Sequence, residues 1–530
     1  MIERGDRIGA IRSVTGARAE LALEAAADST TGADSADRRP GIGDLLALPA
    51  GGRTVYALVQ ALREDADGTQ LADLDFLGEV PAGGDGPFQR GLSRIPRLGD
   101  SVFAATPADV ARVYARPAVP HLKVGTVHQG ADLPFYVQTD DLLGKHMAVM
   151  GNTGSGKSCA VTLILKVMLD AHPAGHMVVL DPHDEYGAAF HHRAQVLRVD
   201  DLDIPYWLMT AEELGYVILP GRGAERDAQF NILREAILAA RRAFTRDPKM
   251  SAVMTVDTPS PFSLTDLEKI VVEEAGRLET AEAGGAYTRL LARLDRIRRD
   301  RRFAFMFSSK LSYDNLEDVI GRILRIPVQG KPLTIIDLSG VPSEIVDVVV
   351  SMLCRVIFDV ALWSPAGRNV PVLLVCEEAH RYIPADEIEA FGPTKEAISR
   401  IAREGRKHGV SLCLVSQRPS DLSARILSQC GTVFGLRLTN DRDQEFMRKA
   451  LPEGAQGLIS MLPALRTQEA VVLGEGVSVP SRILFDDLPP ENRPGAAATP
   501  FSQAWQEDTA DQGLVADIIQ RWRFQKRPSE

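Results

Sequence analysis

HMAVMGNTGSGKSCAVTLILKVML, residues 146–169, runs from a short apolar stretch through a glycine-rich loop into a helical pattern. The loop Gly151–Ser158 matches G-x-x-x-x-G-K-[ST] in full and has the strand before it and the helix after it that the motif requires. Glycines let backbone N–H groups turn toward phosphate oxygens, and the dipole of the following helix adds to the attraction. Lys157 is placed to neutralise β- and γ-phosphates, and the Ser158 hydroxyl to reach Mg²⁺. The expected nucleotide-binding set is Gly151, Asn152, Thr153, Gly154, Ser155, Gly156, Lys157, Ser158 and Cys159. The plain alternative is a turn that binds nothing, and the complete strand–motif–helix context weighs against it.

Working outward, HMVVLD (176–181), LTIIDLSG (333–340), PVLLVCEE (371–378), VSLCLVSQ (410–417) and GTVFGLRL (431–438) are further short, nearly continuous apolar runs. Such runs suit strands covered on both faces of a parallel sheet. Helical patterns lie between them, one of which, SEIVDVVVSMLCRVIFDVALW, opens with Ser343 at the expected cap. The alternation predicts an α/β domain with a parallel sheet over 126–490. Within it, the charged helical stretch from about 221 to 305 reads as an insertion. Residues 1–125 carry alternating segments (RTVYALVQAL, QLADLDFLGEV, DSVFAAT) broken by turns, which predict a small β-barrel or sandwich. The polar stretch ADSTTGADSADRRPGIGD reads as a loop. Residues 491–530 read as a linker and a tail with one helix at LVADIIQRWRF.

The chain has 530 residues, enough for two or three domains. It shows no apolar run of about 18 residues, and its start, MIERGDRIGA, has no secretory h-region. The five cysteines sit among apolar neighbours with no CxxC pair, as expected for reduced thiols in a cytoplasm. A net charge of −11 argues against a protein that coats nucleic acid. It leaves open a ring that touches DNA through a few basic pore loops.

A strand ending in acids supplies the second half of an ATPase site, and PVLLVCEEAH provides it. Glu377 is expected to hold the Mg²⁺ shell with Ser158, and Glu378 to orient or deprotonate the attacking water. Two adjacent carboxylates at the end of a buried strand are costly unless a cation is near. In AISRIAREGRKHGVSLCLVSQRPS, Ile398, Ile401, Ala402 and Gly405 share one helix face, and Gly409 is a natural stop. Arg403 or Arg406 is the candidate arginine finger of a neighbouring subunit, against the simpler reading that basic residues favour a helix C-terminus. Gln417 ends the next strand, where it could sense the γ-phosphate. Asp181 and Glu185 of DPHDEYG either face the nucleotide or cap their loop, both readings standing equally. The six arginines from Arg293 to Arg302 alternate with Asp295 and Asp300, as a solvated or inter-subunit face would.

Taken together, LLGKHMAVMGNTGSGKS, VVLDPHDEYG, TIIDLSGVPSEIVD, LLVCEEAHRYIP, SRIAREGRKHGVSLCLVSQRPSDLS and VVLGEGVSVPSRI resemble the HerA family of hexameric DNA translocases. That family sits in the HerA/FtsK group of RecA-like motors, and the matching stretches span about 125 to 485. The N-terminal strands look like its HAS-type barrel. The resemblance implies a homo-hexamer that hydrolyses ATP with Mg²⁺ at subunit interfaces and moves along double-stranded DNA. It implies Glu378 as catalytic acid, an arginine within 403–406 acting in trans, and Lys145 as a second basic residue at the nucleotide. Asp184 stands where the family commonly has Gly, and Lys145 where it frequently has Arg. Such motors commonly work with a separate protein, a NurA-like nuclease in end resection or a sirtuin-type NADase or other effector in anti-phage defence. The alternatives are a nucleotide-switched ring scaffold that arranges an effector, and a secretion-type ATPase acting on protein.

Overall fold

The computed structural model describes residues 5–24, 39–81, 86–130, 132–277, 281–308, 311–386, 391–451, 456–495, 502, 505–506 and 512–524. Most of the polar stretch expected as a loop near residue 30 lies outside them. Strands β1 (Arg7–Thr15), β2 (Arg18–Leu23), β3 (Leu45–Ala50), β4 (Arg53–Glu64), β5 (Gln70–Val80), β6 (Gln89–Arg90) and β7 (Ser101–Ala104) form one antiparallel sheet. Its order is β2-β1-β7-β3-β4-β5-β6, and β2 pairs again with β5, which closes six of the strands into a barrel. Closure leaves no free edge on those strands. Leu21, Leu48, Val55, Val59, Leu74 and Val102 fill the interior.

The second sheet contains β8 (His121–Val127), β9 (Pro134–Gln138), β10 (Met147–Met150), β11 (His176–Asp181), β12 (Ala194–Leu197), β13 (Leu333–Asp337), β14 (Val372–Cys376), β15 (Val410–Ser416), β16 (Thr432–Gly435), β17 (Glu469–Gly474) and β18 (Ser481–Phe485). Their order is β12-β13-β11-β14-β15-β10-β16-β17-β18-β8-β9. The pairs from β12 to β16 are parallel, and those from β16 to β9 are antiparallel. The chain therefore enters this sheet at His121, a few residues before the expected boundary at 126.

Side chains alternate between two cores, one on each face. Met147, Val149, Met177, Val179, Leu373 and Val375 join helix Lys157–Ala171 on one side. Ala148, Met150, Val178, Leu180, Leu374 and Cys376 join helices Val346–Trp363 and Gly392–His408 on the other. Both faces being covered is why these strands read as unbroken apolar runs. Helix Val346–Trp363 starts later than the sequence suggested: Ile345 is its N-cap, with no side-chain cap bond, and Ser343 lies in the preceding turn.

The helical insertion is confirmed as Ala224–Phe244, Pro248–Val253, Leu264–Ala275 and Ala281–Arg299, followed by Ala304–Phe307 and Leu316–Leu324 before β13. Three of the six arginines at its end are ion-paired among the described residues: Arg298 with Glu268 and Asp295, Arg299 with Asp295, Arg302 with Asp300 and Glu344. Barrel residues Leu45, Tyr56 and Val80 join the core of the second sheet, and the Tyr56 hydroxyl donates to Asp109 at 2.7 Å. The tail helix spans Gln512–Phe524. Among the described residues, no helix is long and apolar enough to cross a membrane.

Candidate active site

The phosphate loop leaves the carboxyl end of β10, in the middle of the parallel strands. The Gly151 N–H donates to the Ser416 carbonyl at 3.2 Å. A Cβ at Gly151 would stand 2.8 Å from Leu436 Cβ and 2.7 Å from Ser155 Oγ, so only glycine fits. Gly154 and Gly156 take left-handed backbone, φ 75° and 95°, which a side chain would strain. Ser155 Oγ donates to the Asn152 carbonyl at 2.7 Å, and Asn152 Nδ2 to Thr439 Oγ1 at 2.7 Å, which fix the loop's shape. Helix Lys157–Ala171 begins with no side-chain cap, so its first N–H groups face the loop's concavity and favour an anion.

β14 brings the two acids alongside. Glu377 is 1% exposed and Glu378 3%. Lys157 Nζ lies 3.6 Å from Glu377 Oε1, and the buried Tyr186 hydroxyl donates to Glu377 Oε2 at 3.0 Å. Burial pushes the Glu377 carboxyl up to about 8; Lys157 opposes this, the neighbouring Glu378 reinforces it, and the Tyr186 bond opposes it. Glu378 itself has φ 50°, a left-handed conformation unusual for a residue with a side chain. Its Oε2 is buried and accepts no hydrogen bond among the described residues. His380 Nδ1 approaches that oxygen to 3.2 Å, and His183 Nε2 approaches Oε1 to 3.8 Å.

β15 lies between β14 and β10, so Gln417 at its end lies between the acids and the phosphate loop. Its Oε1 accepts from Thr153 Oγ1 of the loop, and its Nε2 donates to Glu378 Oε1. One side chain thus joins the loop to the catalytic-acid candidate.

The segment after β11 forms a third wall. Asp181 is fully buried and accepts the His183 and Tyr186 N–H groups at 3.1 and 3.0 Å. Burial raises its carboxyl to about 6. Asp184 has φ 54°, the left-handed conformation that a glycine adopts freely and an aspartate tolerates. Glu185 faces the nucleotide loop: its Oε2 accepts from Ser158 Oγ at 2.6 Å. Tyr186 and His380 were not singled out from the sequence. Tyr186 sits inside the quoted DPHDEYG, but nothing about its spacing showed that its ring would turn toward another strand.

Three expected site residues lie elsewhere. Lys145 precedes β10, six residues before Gly151, or about 20 Å of extended chain. It pairs with Asp141 at 3.1 Å and with Glu475. Within its own chain, therefore, Lys145 is not at the nucleotide loop. Arg403 and Arg406 are at the same far end. His146 ties that end together: its Nδ1 accepts from the Leu412 N–H at 3.0 Å, and its Nε2 faces the Ala402 carbonyl at 3.1 Å. Both arginines are exposed, and neither has an ion-pair partner among the described residues. Cys159 is half-buried on the first turn of the helix, its thiol raised mainly by burial.

The donor set suits Mg²⁺ and a nucleotide triphosphate. Open left-handed glycines leave room for phosphate, Lys157 is buried beside a carboxylate, and Glu378 Oε2 is buried without a hydrogen bond among the described residues. Ser158, Glu185 and Glu377 offer hard oxygen ligands. Among the described residues, no group of three or more His, Cys, Asp or Glu forms a metal cage without the nucleotide.

Residues 122–357 match the family model described as "Helicase HerA, central domain". The chain is 26% identical over 476 residues to a probable helicase of Methanocaldococcus jannaschii, covering 88% of this chain and 86% of that protein. It is 26% identical over 481 residues to the DNA double-strand break repair helicase HerA of Pyrococcus furiosus, covering 82% and 80%. The solved structure of VirB4 from Thermoanaerobacter pseudethanolicus superposes with a TM-score of 0.51 at 14% identity, over 71% of this chain and 98% of that one. That likeness speaks for the fold.

Proposed function

We propose that this chain, whose residues 122–357 match the HerA central-domain model and which is 26% identical to HerA-type helicases over most of its length, is an ATP-driven translocase on double-stranded DNA, built as a ring of six copies. The observation that carries this reading is the division of the chemistry between two ends of one sheet. Cradle, acids and Gln417 gather at the carboxyl end, while Arg403 and Arg406 stand exposed at the other, without an ion-pair partner among the described residues. A guanidinium that stands away from its own phosphate loop supports a role at a neighbour's.

In this reading the N–H groups of Gly151–Ser158 wrap the phosphates, and Lys157 leaves Glu377 to meet the β- and γ-phosphate oxygens. When bound with ATP, Mg²⁺ neutralises the phosphate oxygens as charge moves onto the leaving group. Ser158 and Glu377 hold its shell. Glu378 orients the attacking water and accepts its proton through the buried Oε2, which His380 Nδ1 approaches to 3.2 Å. Gln417 links occupancy of the loop to the position of Glu378. Arg403 or Arg406 of the next copy stabilises charge on the transferred phosphoryl group, a contribution of about 10³–10⁵ in rate where such a finger acts. Lys145, at the same end as the arginines, faces the same neighbouring site.

The barrel is the proposed docking surface for a separate nuclease or other effector in DNA end processing or anti-phage defence. The test is ATP turnover with and without duplex DNA. Stimulation by DNA that fades steeply as salt rises supports the motor. Turnover indifferent to duplex DNA at low salt, but responsive to a co-purifying partner, replaces it with a switched scaffold.

A further inference from the structure

We propose that Glu185 is a metal-side carboxylate of the nucleotide site, sharing the bound cation with Ser158. The inference rests on the Mg²⁺·ATP reading above and adds a ligand that the acids of β14 do not account for. Glu377 is already engaged from two sides, by Lys157 at 3.6 Å and by the Tyr186 hydroxyl at 3.0 Å. The carboxylate in contact with the Ser158 hydroxyl is a different one, Glu185, at 2.6 Å.

The chemistry of a hard divalent cation makes that contact informative. Mg²⁺ takes oxygen ligands at about 2.1 Å in octahedral geometry, so two neighbouring ligand oxygens sit about 3 Å apart. Ser158 Oγ and Glu185 Oε2 are already near that separation. A small opening of the pair, with the hydroxyl proton turned away, converts a hydrogen bond into two adjacent ligands.

Glu185 is also held as a ligand needs to be held. Its backbone carbonyl accepts from the Gly495 N–H at 2.6 Å. The segment leading to Gly495 crosses from β18 over the phosphate-loop helix. Leu488 is buried in the same core as Ala160, Val161 and Ala189. Asn492 Nδ2 donates to the Ala189 carbonyl at 2.8 Å, and His191 Nε2 meets the Glu491 carbonyl at 2.7 Å. On the other flank, Asp181 fixes the Tyr186 N–H. The Glu185 backbone is thus held by contacts on both sides, from the segment before Gly495 and from Asp181.

The test uses the full chain with ADP, with Mn²⁺ standing in for Mg²⁺ and free Mn²⁺ read by electron paramagnetic resonance. Metal-free binding of a fluorescent ADP reports the phosphate loop separately. Glu185→Gln is expected to lower Mn²⁺ affinity of the ADP complex at least tenfold, and Glu185→Asp to restore part of it. In wild type labelled with ¹³C-glutamate, the bound Mn²⁺ should show a carboxylate ¹³C coupling that is diminished in the Glu185→Asp chain. That measurement decides the matter even if Glu185→Gln melts early. Wild-type Mn²⁺ affinity in Glu185→Gln, or an undiminished ¹³C coupling in Glu185→Asp, overturns the proposal while leaving ATP binding intact. A wild-type chain that binds no ADP with or without metal overturns the parent reading and this one together.

Discussion

Lys157, Glu377 and Glu378 form a charge arrangement that awaits a cation. Burial raises the Glu377 carboxyl to about 8, which favours its protonated form in the nucleotide-free protein at neutral pH. A group raised above its ordinary value favours folding below that value and loses the contribution as pH climbs through the folded one. The nucleotide-free chain is therefore expected to lose thermal stability between about pH 4.5 and 8, and Glu377→Gln to flatten that decline. Melting curves at pH 5, 6.5 and 8 for both proteins check this; parallel declines would assign the effect to other groups. Lys157→Ala should remove nucleotide binding, measured with a fluorescent ATP analogue. Ordinary affinity in that variant would contradict the role given to the loop. Glu378→Gln should keep ATP bound and slow turnover by about 10²–10⁴, the usual contribution of a positioned general base.

At the scale of elements, helix Gly392–His408 shows how backbone geometry places the candidate finger. Gly409 ends it with φ 79°, its N–H donating to the Gly405 carbonyl. A side chain there costs about 1–2 kcal/mol, so Gly409→Ala should lower unfolding free energy by that amount in a denaturant titration. Gly405 is more constrained: a Cβ would lie 2.4 Å from the Val410 carbonyl oxygen, a contact the backbone must move to relieve. Gly405→Ala should cost more than Gly409→Ala and shift Arg403 and Arg406 with the helix. The loop after β11 makes the complementary case. Asp184 occupies left-handed backbone at φ 54°, a conformation that an aspartate tolerates better than most residues with a side chain.

For the whole molecule, the proposed action of Arg403 or Arg406 on a neighbouring copy makes turnover a test of assembly. Arg403→Ala and Arg406→Ala should each leave ATP binding in place, and the variant at the acting position should lose nearly all turnover. Mixing that chain with Glu378→Gln chains should recover part of the activity, because some interfaces regain both intact groups. No recovery at any ratio, with mixed assembly verified by two tags, would place both groups in one chain. The net charge of −11 is compatible with DNA binding only if basic residues are concentrated locally. The paired arginines between Arg298 and Arg302 are weaker candidates for that contact, since carboxylates already hold them.

The sequence by itself determined the phosphate loop, the acid-ended strand, the parallel α/β core, the helical insertion and the helix that ends at Gly409. Each is written in local spacing: a loop between strand and helix, apolar runs covered on both faces, a glycine at a stop. The barrel strands RTVYALVQAL and QLADLDFLGEV were legible for the same reason, whereas the short β12 and the antiparallel β8, β9, β17 and β18 carry weaker local signals. Only the tertiary structure decided that β15 lies between β14 and β10 and so lets Gln417 touch both Thr153 and Glu378. It also decided that Tyr186 meets Glu377, that Glu185 meets Ser158, and that Lys145 and the arginines face away. Those contacts depend on strand order and on the direction each side chain leaves its strand end. Neither is fixed by residues adjacent in the chain; both follow from which surfaces pack together.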